Sequence, residues 1–265
     1  MHNRPRNLVP NRSRDILRSN GTIIHARWMS DLVPIVARAL RDALAVLFPV
    51  DCGGCGRPGL SLCPRCRGAL RPRPTPVRDL PAEAPGVTAA LRYEGAVAAT
   101  LRRYKDAGRV DLARALAPAL RASVVDLWPA VAAGGEPPGL LVVPASRPAL
   151  RRRGYAPVAR LLQSAGLRAT SSTRLELTRR VGDQADLGRE ERRANVSGAM
   201  RAVGVRGGRF VLVDDVVTTG ATITEAARAV AAAGGEVVAA ACLAHAERRL
   251  QTTSEMPGHH SANDQ

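Results

Sequence analysis

The sequence predicts an α/β fold, a parallel sheet flanked by helices, with a small four-cysteine module ahead of it. Three observations carry this expectation. Short, continuously apolar runs such as "GLLVVPAS", "RFVLVDD" and "EVVAAACLA" alternate with amphipathic stretches from residue 87 onward, as strands covered on both faces require. Two C-x-x-C pairs stand ahead of these runs, and a stretch with five prolines in sixteen residues separates the two regions. The 265-residue chain is 45% hydrophobic but only 3% aromatic. A core of that composition is built from Ala, Val and Leu.

The elements follow in order. Residues 1–28 carry no apolar period and no apolar segment of a secretory signal, and read as a disordered extension. From Met29, the residues Leu32, Ile35, Val36, Leu40, Ala43, Leu44 and Leu47 recur at helical spacing, predicting an amphipathic helix over 29–50. The cysteine module spans 51–70, and the proline-rich segment 71–86 reads as a semi-rigid linker. The main domain is expected over 87–249. It opens with the strand "VTAALRYEG" and a helix–turn–helix around Gly108. The strand "GLLVVPAS", the helix "APVARLLQSAGL" and the strand "STRLELTRR" follow. A polar segment then leads to the strand "RFVLVDD", the helix "TITEAARAVAAAGG" and the strand "EVVAAACLA". The tail 250–265 has no periodicity and is expected to be disordered. No uninterrupted apolar run of about 18 residues occurs, so no membrane span is expected, and the cytoplasm is the expected compartment.

Charge narrows the partners. The formal net charge is +16, and Lys105 is the only lysine among 39 basic residues. The arginine and alanine excess reads first as a high-GC coding bias, yet the charge still favours anionic partners, either phosphorylated metabolites or nucleic acid. Cys52, Cys55, Cys63 and Cys66 form two C-x-x-C pairs separated by seven residues. That spacing presents four thiolates to one tetrahedral ion, with zinc the usual choice, and four thiolates leave no open position for chemistry. Cys242, inside an apolar run, reads as a small buried hydrophobe. Gly54, Gly56 and Gly59 formally satisfy G-x-G-x-x-G, a motif that needs a strand before it and a helix after it; here they interleave with the expected metal ligands and Pro58 precedes the third glycine, so the motif is rejected.

The stretch "VLVDDVVTTGAT" carries the chemistry. Its acids and hydroxyls could merely cap the next helix. A Walker-type site is excluded, because Lys105 sits outside any G-x-x-x-x-G-K-[ST] loop. A third reading uses every residue. Thr218, Thr219, Gly220, Ala221 and Thr222 turn into a helix whose N-terminal N–H groups and hydroxyls form a phosphate cradle. Asp214 and Asp215, ending the strand just before it, are placed to accept hydrogen bonds from paired ribose hydroxyls. A 5-phosphorylated ribose satisfies both halves.

This stretch resembles the PRPP-binding motif of the type I phosphoribosyltransferases. The four-cysteine module, "LRRYKDAGRVDLARALA", "VVPASRPALRRRGY", "RRVGDQADLGREERRANVSGAM" and the PRPP loop, in that order over roughly residues 30–246, are similar to the ComF family. The resemblance implies a type I phosphoribosyltransferase fold binding Mg²⁺-PRPP through Asp214, Asp215 and Thr218 to Thr222. It also implies a pyrophosphate loop at Pro144, Ala145 and Ser146, with Lys105 as a further pyrophosphate contact. Arg179, Arg180, Gln184, Arg193 and Asn195 would belong to a flexible loop closing over the site. The family pattern "RGYNQ" or "RGFNQ" reads "RGYAP" here, so the family's substrate preference does not carry over.

Two functional classes follow. One is a PRPP-dependent transferase that releases pyrophosphate to an acceptor the sequence does not name, with no general base in evidence. The other is a non-catalytic PRPP sensor or adaptor, associated as in ComF proteins with competence and DNA uptake, that contacts nucleic acid or a DNA-processing protein. Arginine clusters favour the second, whereas the scarcity of aromatic side chains argues against stacking on single-stranded bases.

Overall fold

The computed structural model describes residues 50–133, 135–178 and 196–247. The extension expected over 1–28, all but the last position of the helix expected over 29–50, and the tail expected over 250–265 lie outside the described residues. So do Arg179, Arg180, Gln184, Arg193 and Asn195.

The described residues from Asp51 onward form one compact unit. Its elements are α1 (Pro64–Ala69), β1 (Thr75–Pro76), β2 (Val87–Arg92), α2 (Gly95–Asp106), a 3₁₀ turn (Val110–Leu112), α3 (Ala113–Ala132) and β3 (Gly139–Val142). They continue with α4 (Arg147–Arg153), α5 (Pro157–Ser164), β4 (Arg174–Leu177), β5 (Met200–Val203), β6 (Arg209–Val217), α6 (Ala221–Ala232) and β7 (Glu236–His245). The main sheet has the order β1-β2-β7-β6-β3, parallel throughout except for β1. The predicted α/β class is therefore the observed one.

Both faces of the sheet are covered, which explains why its strands read as continuous apolar runs. Val211, Val213, Ala241 and Leu243 pack with Leu101, Leu116, Leu120 and Leu161 from α2, α3 and α5. Leu141, Leu212, Ala240 and Cys242 pack with Ile223, Ala226 and Val230 of α6 and with Leu175 and Met200 of β4 and β5. Val110–Ala132 is long and apolar enough to cross a membrane by length and composition. Here its apolar side lies on the sheet, and Ser123 donates to the Cys242 carbonyl at 2.7 Å.

Three expectations are revised. The proline-rich segment does more than connect: Thr75 and Pro76 add an antiparallel edge strand to β2, the position in a sheet where proline is tolerated. "STRLELTRR" does contain a strand, but β4 pairs with β5 in a separate antiparallel ribbon instead of joining the parallel sheet. Its alternating burial, with Leu175 inside and Arg174 exposed, suits a strand with one solvated face. The short helix α4 was not anticipated. Its signals were local: the Ser146 hydroxyl accepts from the Ala149 N–H, Pro148 sits in the first turn, and Gly154 closes the helix at φ 71°.

Candidate functional site

The cysteine module is the first candidate. Cys52, Cys55, Cys63 and Cys66 bring their four sulfurs within 4.8 Å of one another, and Cys55 and Cys63 lie 3.8 Å apart. Four thiolates about 2.3 Å from a tetrahedral ion stand roughly 3.8 Å apart, so the set fits a metal ion. The surroundings are built for thiolates. Burial alone would raise the Cys52 pKa, but N–H groups of Cys63, Cys55 and Gly54 outweigh it and draw the thiol down to about 6. Cys66 is pushed up to about 12 by burial and by the neighbouring thiols, a repulsion that a cation relieves. Gly54 is required by space, since a Cβ there would sit 2.6 Å from the Cys66 sulfur.

The module is also welded to the domain. The Cys52 carbonyl accepts from the Arg103 guanidinium on α2, and Leu112 fills the space above Gly53. Arg109 donates to the Asp51 carbonyl at 2.9 Å and pairs with Asp111 at 2.8 Å.

The second candidate is a cavity of about 310 Å³ beyond the carboxyl end of the parallel strands, where ligands bind in open α/β sheets. Asp214, Asp215, Thr222, Lys105, Pro144, Ala145 and Ser146, all named from the sequence, line it together. The acids do not end their strand, as the sequence reading had it. β6 continues to Val217, because β7 pairs with it as far as His245, whereas β3 stops at Val142 opposite Val213. The early end of β3 leaves the acids beyond the sheet edge on that side, and this opens them to the cavity.

The two acids are not equivalent. Asp215 is buried and pairs with Lys105 of α2, Nζ to Oδ2 at 2.8 Å. Burial alone would lower the Lys105 pKa, and Asp215 reverses this, holding it above its ordinary value. The Asp214 Oδ1 accepts from the Asp215 N–H at 2.8 Å. Burial and the Asp215 charge push the Asp214 carboxyl up to about 7.

Asp214 therefore makes stability depend on pH. Its folded pKa, about 7, lies above the 3.8 of the free carboxyl, so the folded chain retains a proton that the unfolded chain releases. This contribution is full below about pH 4 and is lost as pH rises through 7. Relative to Asp214→Asn, the wild type is expected to lose roughly 2–4 kcal/mol between pH 4.5 and 8, read as diverging melting temperatures. Parallel curves for the two proteins would contradict the assignment.

Of the five residues of the turn, Thr222 alone lines the cavity. Thr218 is exposed, and the Thr219 hydroxyl accepts from the Ala221 N–H at 3.4 Å. Gly220 takes φ 75° at the start of α6, and a Cβ there would meet Leu80 at 3.0 Å and Pro81 at 3.1 Å. Glycine is thus demanded by the turn and by the packing of the proline-rich segment.

Sequence reading missed the rest of the wall. Val142, Val143, Val158, Leu177, Val196 and Met200 add apolar lining, and Arg153 adds a second cation. Ala156 and Pro157, at the departure from "RGYNQ", also line it. The Pro157 carbonyl accepts from Tyr104, next to Lys105, at 2.8 Å. Arg153 was hidden in an arginine-rich run where nothing separates a buried guanidinium from solvated ones.

Residues 149–257, which include β6, the acids and α6, match the model of the phosphoribosyl transferase domain. Over that stretch the chain is similar to a phosphoribosyl transferase domain. A 38-residue stretch is 55% identical to the orotate phosphoribosyltransferase of Bartonella tribocorum, covering 14% of this chain and 20% of that enzyme. Among solved structures, adenine phosphoribosyltransferase from Rhodothermus marinus aligns over 68% of this chain and 86% of that one, at 17% identity and a TM-score of 0.30.

Proposed function

We propose that the chain is a ComF-like phosphoribosyltransferase that binds Mg²⁺-PRPP in the 310 Å³ cavity and transfers phosphoribose to an acceptor, releasing pyrophosphate. One observation carries this reading: the two acids beyond the β3 edge share a cavity with Thr222 of the α6 N-terminus and with the Pro144–Ser146 turn. A sugar bearing vicinal hydroxyls, a phosphate and a diphosphate is a ligand that uses all three.

In this reading Asp214 and Asp215 accept hydrogen bonds from the ribose hydroxyls and fix the ring. The start of α6, with the Thr222 hydroxyl, receives the 5-phosphate. The Pro144–Ser146 turn and Lys105 hold the pyrophosphate as the bond from C1 to oxygen breaks and the electron pair leaves with it. Cationic side chains stabilise the charge that develops there. Mg²⁺, when bound with PRPP, would neutralise part of the leaving group's charge. The acceptor's nucleophilic atom forms the new bond to C1. Zn²⁺ in the four-cysteine module is structural, because its ligand set leaves no open position.

Retained ligand binding is tested by thermal shift and calorimetry. PRPP with Mg²⁺, and ribose 5-phosphate more weakly, are expected to raise the melting temperature with concentration. Thr222→Val is expected to weaken both by about 1–3 kcal/mol, an unmet hydrogen bond to a charged group. Thr219→Val, whose hydroxyl already serves Ala221, is expected to weaken them less. No PRPP binding at millimolar concentration would remove this reading.

A second reading, a PRPP-sensing adaptor that touches nucleic acid or a DNA-processing protein, is favoured by α4, which exposes Arg147, Arg151 and Arg152. A screen for pyrophosphate release against bases, amines and phosphorylated acceptors separates the two. Turnover with any acceptor supports the transferase, and binding without turnover supports the sensor.

A further inference from the structure

Arg153 differs from the arginines beside it. Arg151 and Arg152 are exposed, whereas the Arg153 side chain is 12% exposed and lines the cavity with Lys105 and Asp215. Its Nη2 donates to Asp106 Oδ1 at 2.9 Å, but its Nε is buried and has no acceptor among the described residues. A guanidinium N–H shut away from water without a partner is costly to leave unmet. The Asp106 side chain, by contrast, is 55% exposed. It can turn to solvent at little loss, because an ion pair with one exposed partner is weak. Arg153 therefore carries a buried, half-satisfied fork whose present partner is easily displaced. Being the last residue of α4, it also gains from the negative end of the helix dipole. That explains a cation at this position; it does not explain the burial or the unmet donor.

The cation nearest in function is Lys105. Arg153 is close enough to oppose the protonation of Lys105, so two positive groups face one small cavity. Each is held by a carboxylate, Lys105 by Asp215 and Arg153 by Asp106. An ammonium is a point charge, while a guanidinium offers parallel donors matched to two oxygens of a phosphate. Between them they match a group with several phosphate oxygens, and the turn at Pro144–Ser146 that leads into α4 opens on the same space.

We infer that Arg153 is a pyrophosphate-binding residue, pairing with Lys105 to hold the diphosphate end of PRPP and exchanging Asp106 for phosphate oxygens when the ligand enters. This inference rests on the PRPP reading above. Asp106 then acts as a placeholder that keeps the guanidinium in position while the cavity is empty.

Binding of inorganic pyrophosphate, PRPP and ribose 5-phosphate, each with Mg²⁺, is measured by calorimetry on wild type, Arg153→Gln, Arg153→Lys and Asp106→Asn. Arg153→Gln is expected to lose at least about 10-fold in affinity for pyrophosphate and PRPP while binding ribose 5-phosphate as the wild type does. Arg153→Lys is expected to recover part of the loss. Asp106→Asn is expected to bind pyrophosphate as tightly as the wild type or more so, since it removes only a competitor. If Arg153 served merely to anchor α4 through Asp106, Asp106→Asn would reproduce the Arg153→Gln defect. That result overturns the inference, as does undiminished pyrophosphate binding by Arg153→Gln. Wild type that binds none of the three ligands removes the PRPP reading and the inference together. Wild type that binds PRPP, with pyrophosphate binding indifferent to Arg153, removes the inference alone.

Discussion

Cys63→Ser is expected to abolish binding of one Zn²⁺ per chain and to unfold much more than the residues that touch the metal. In small zinc modules the apparent binding free energy, on the order of 10–16 kcal/mol, is also the folding free energy of the module. Here the module is not an appendage. Cys52, Leu62, Cys63, Cys66 and Leu70 belong to the same buried cluster as Leu101, Leu112 and Leu116 of the main domain. The Cys52 carbonyl holds Arg103, two residues before Lys105 on α2. Loss of the module uncovers one end of α2 and the space that Leu112 fills over Gly53. Metal analysis combined with calorimetry should show metal lost and the main transition lowered and broadened. Cys242→Ala serves as the control: Cys242 is buried in β7 away from the cluster, so metal content should be unchanged. Full zinc retention in Cys63→Ser, or a main transition at the wild-type temperature once metal is gone, would refute this.

The second large effect divides two acids that look interchangeable in sequence. Asp215→Asn should destabilise the protein, because it leaves Lys105 mostly enclosed without its carboxylate at 2.8 Å. Removing one partner of an enclosed pair costs about 3–5 kcal/mol, and partial exposure brings this to roughly 2–4. Asp214→Asn should do the opposite at pH 8. It replaces a carboxyl whose pKa is pushed up to about 7 with a neutral group of the same shape, removing charge that the site disfavours. Both substitutions should weaken PRPP by roughly 10- to 100-fold, since each removes a charged acceptor for a ribose hydroxyl. Opposite stability effects with a shared binding defect mark strain retained for binding. Equal melting temperatures for the two variants at pH 8, or unimpaired PRPP binding by either, would refute the assignment.

The features that sequence alone determined are those written in contiguous residues. The apolar runs of β3, β6 and β7 specify buried parallel strands, because side chains of a strand covered on both faces must be apolar throughout. The two C-x-x-C pairs specify a metal-sized cluster, and "VDDVVTTGAT" specifies acids beside a helix start. Each is a local pattern with a local cause. What tertiary structure decided are relations between residues far apart in the chain. β6 does not stop at its acids; the shorter β3 beside it opens them to the cavity. The pairing of Lys105 with Asp215, 110 positions later, makes one acid structural and leaves the other strained. Arg153 becomes a cavity residue only because α4 turns it inward, while Arg151 and Arg152 in the same run face solvent. The proline-rich segment becomes a sheet edge only where β2 offers unpaired backbone to it. Sequence spacing encodes which backbone conformation a stretch prefers; burial and charge pairing arise only once distant elements pack, and in this protein they assign the roles within the site.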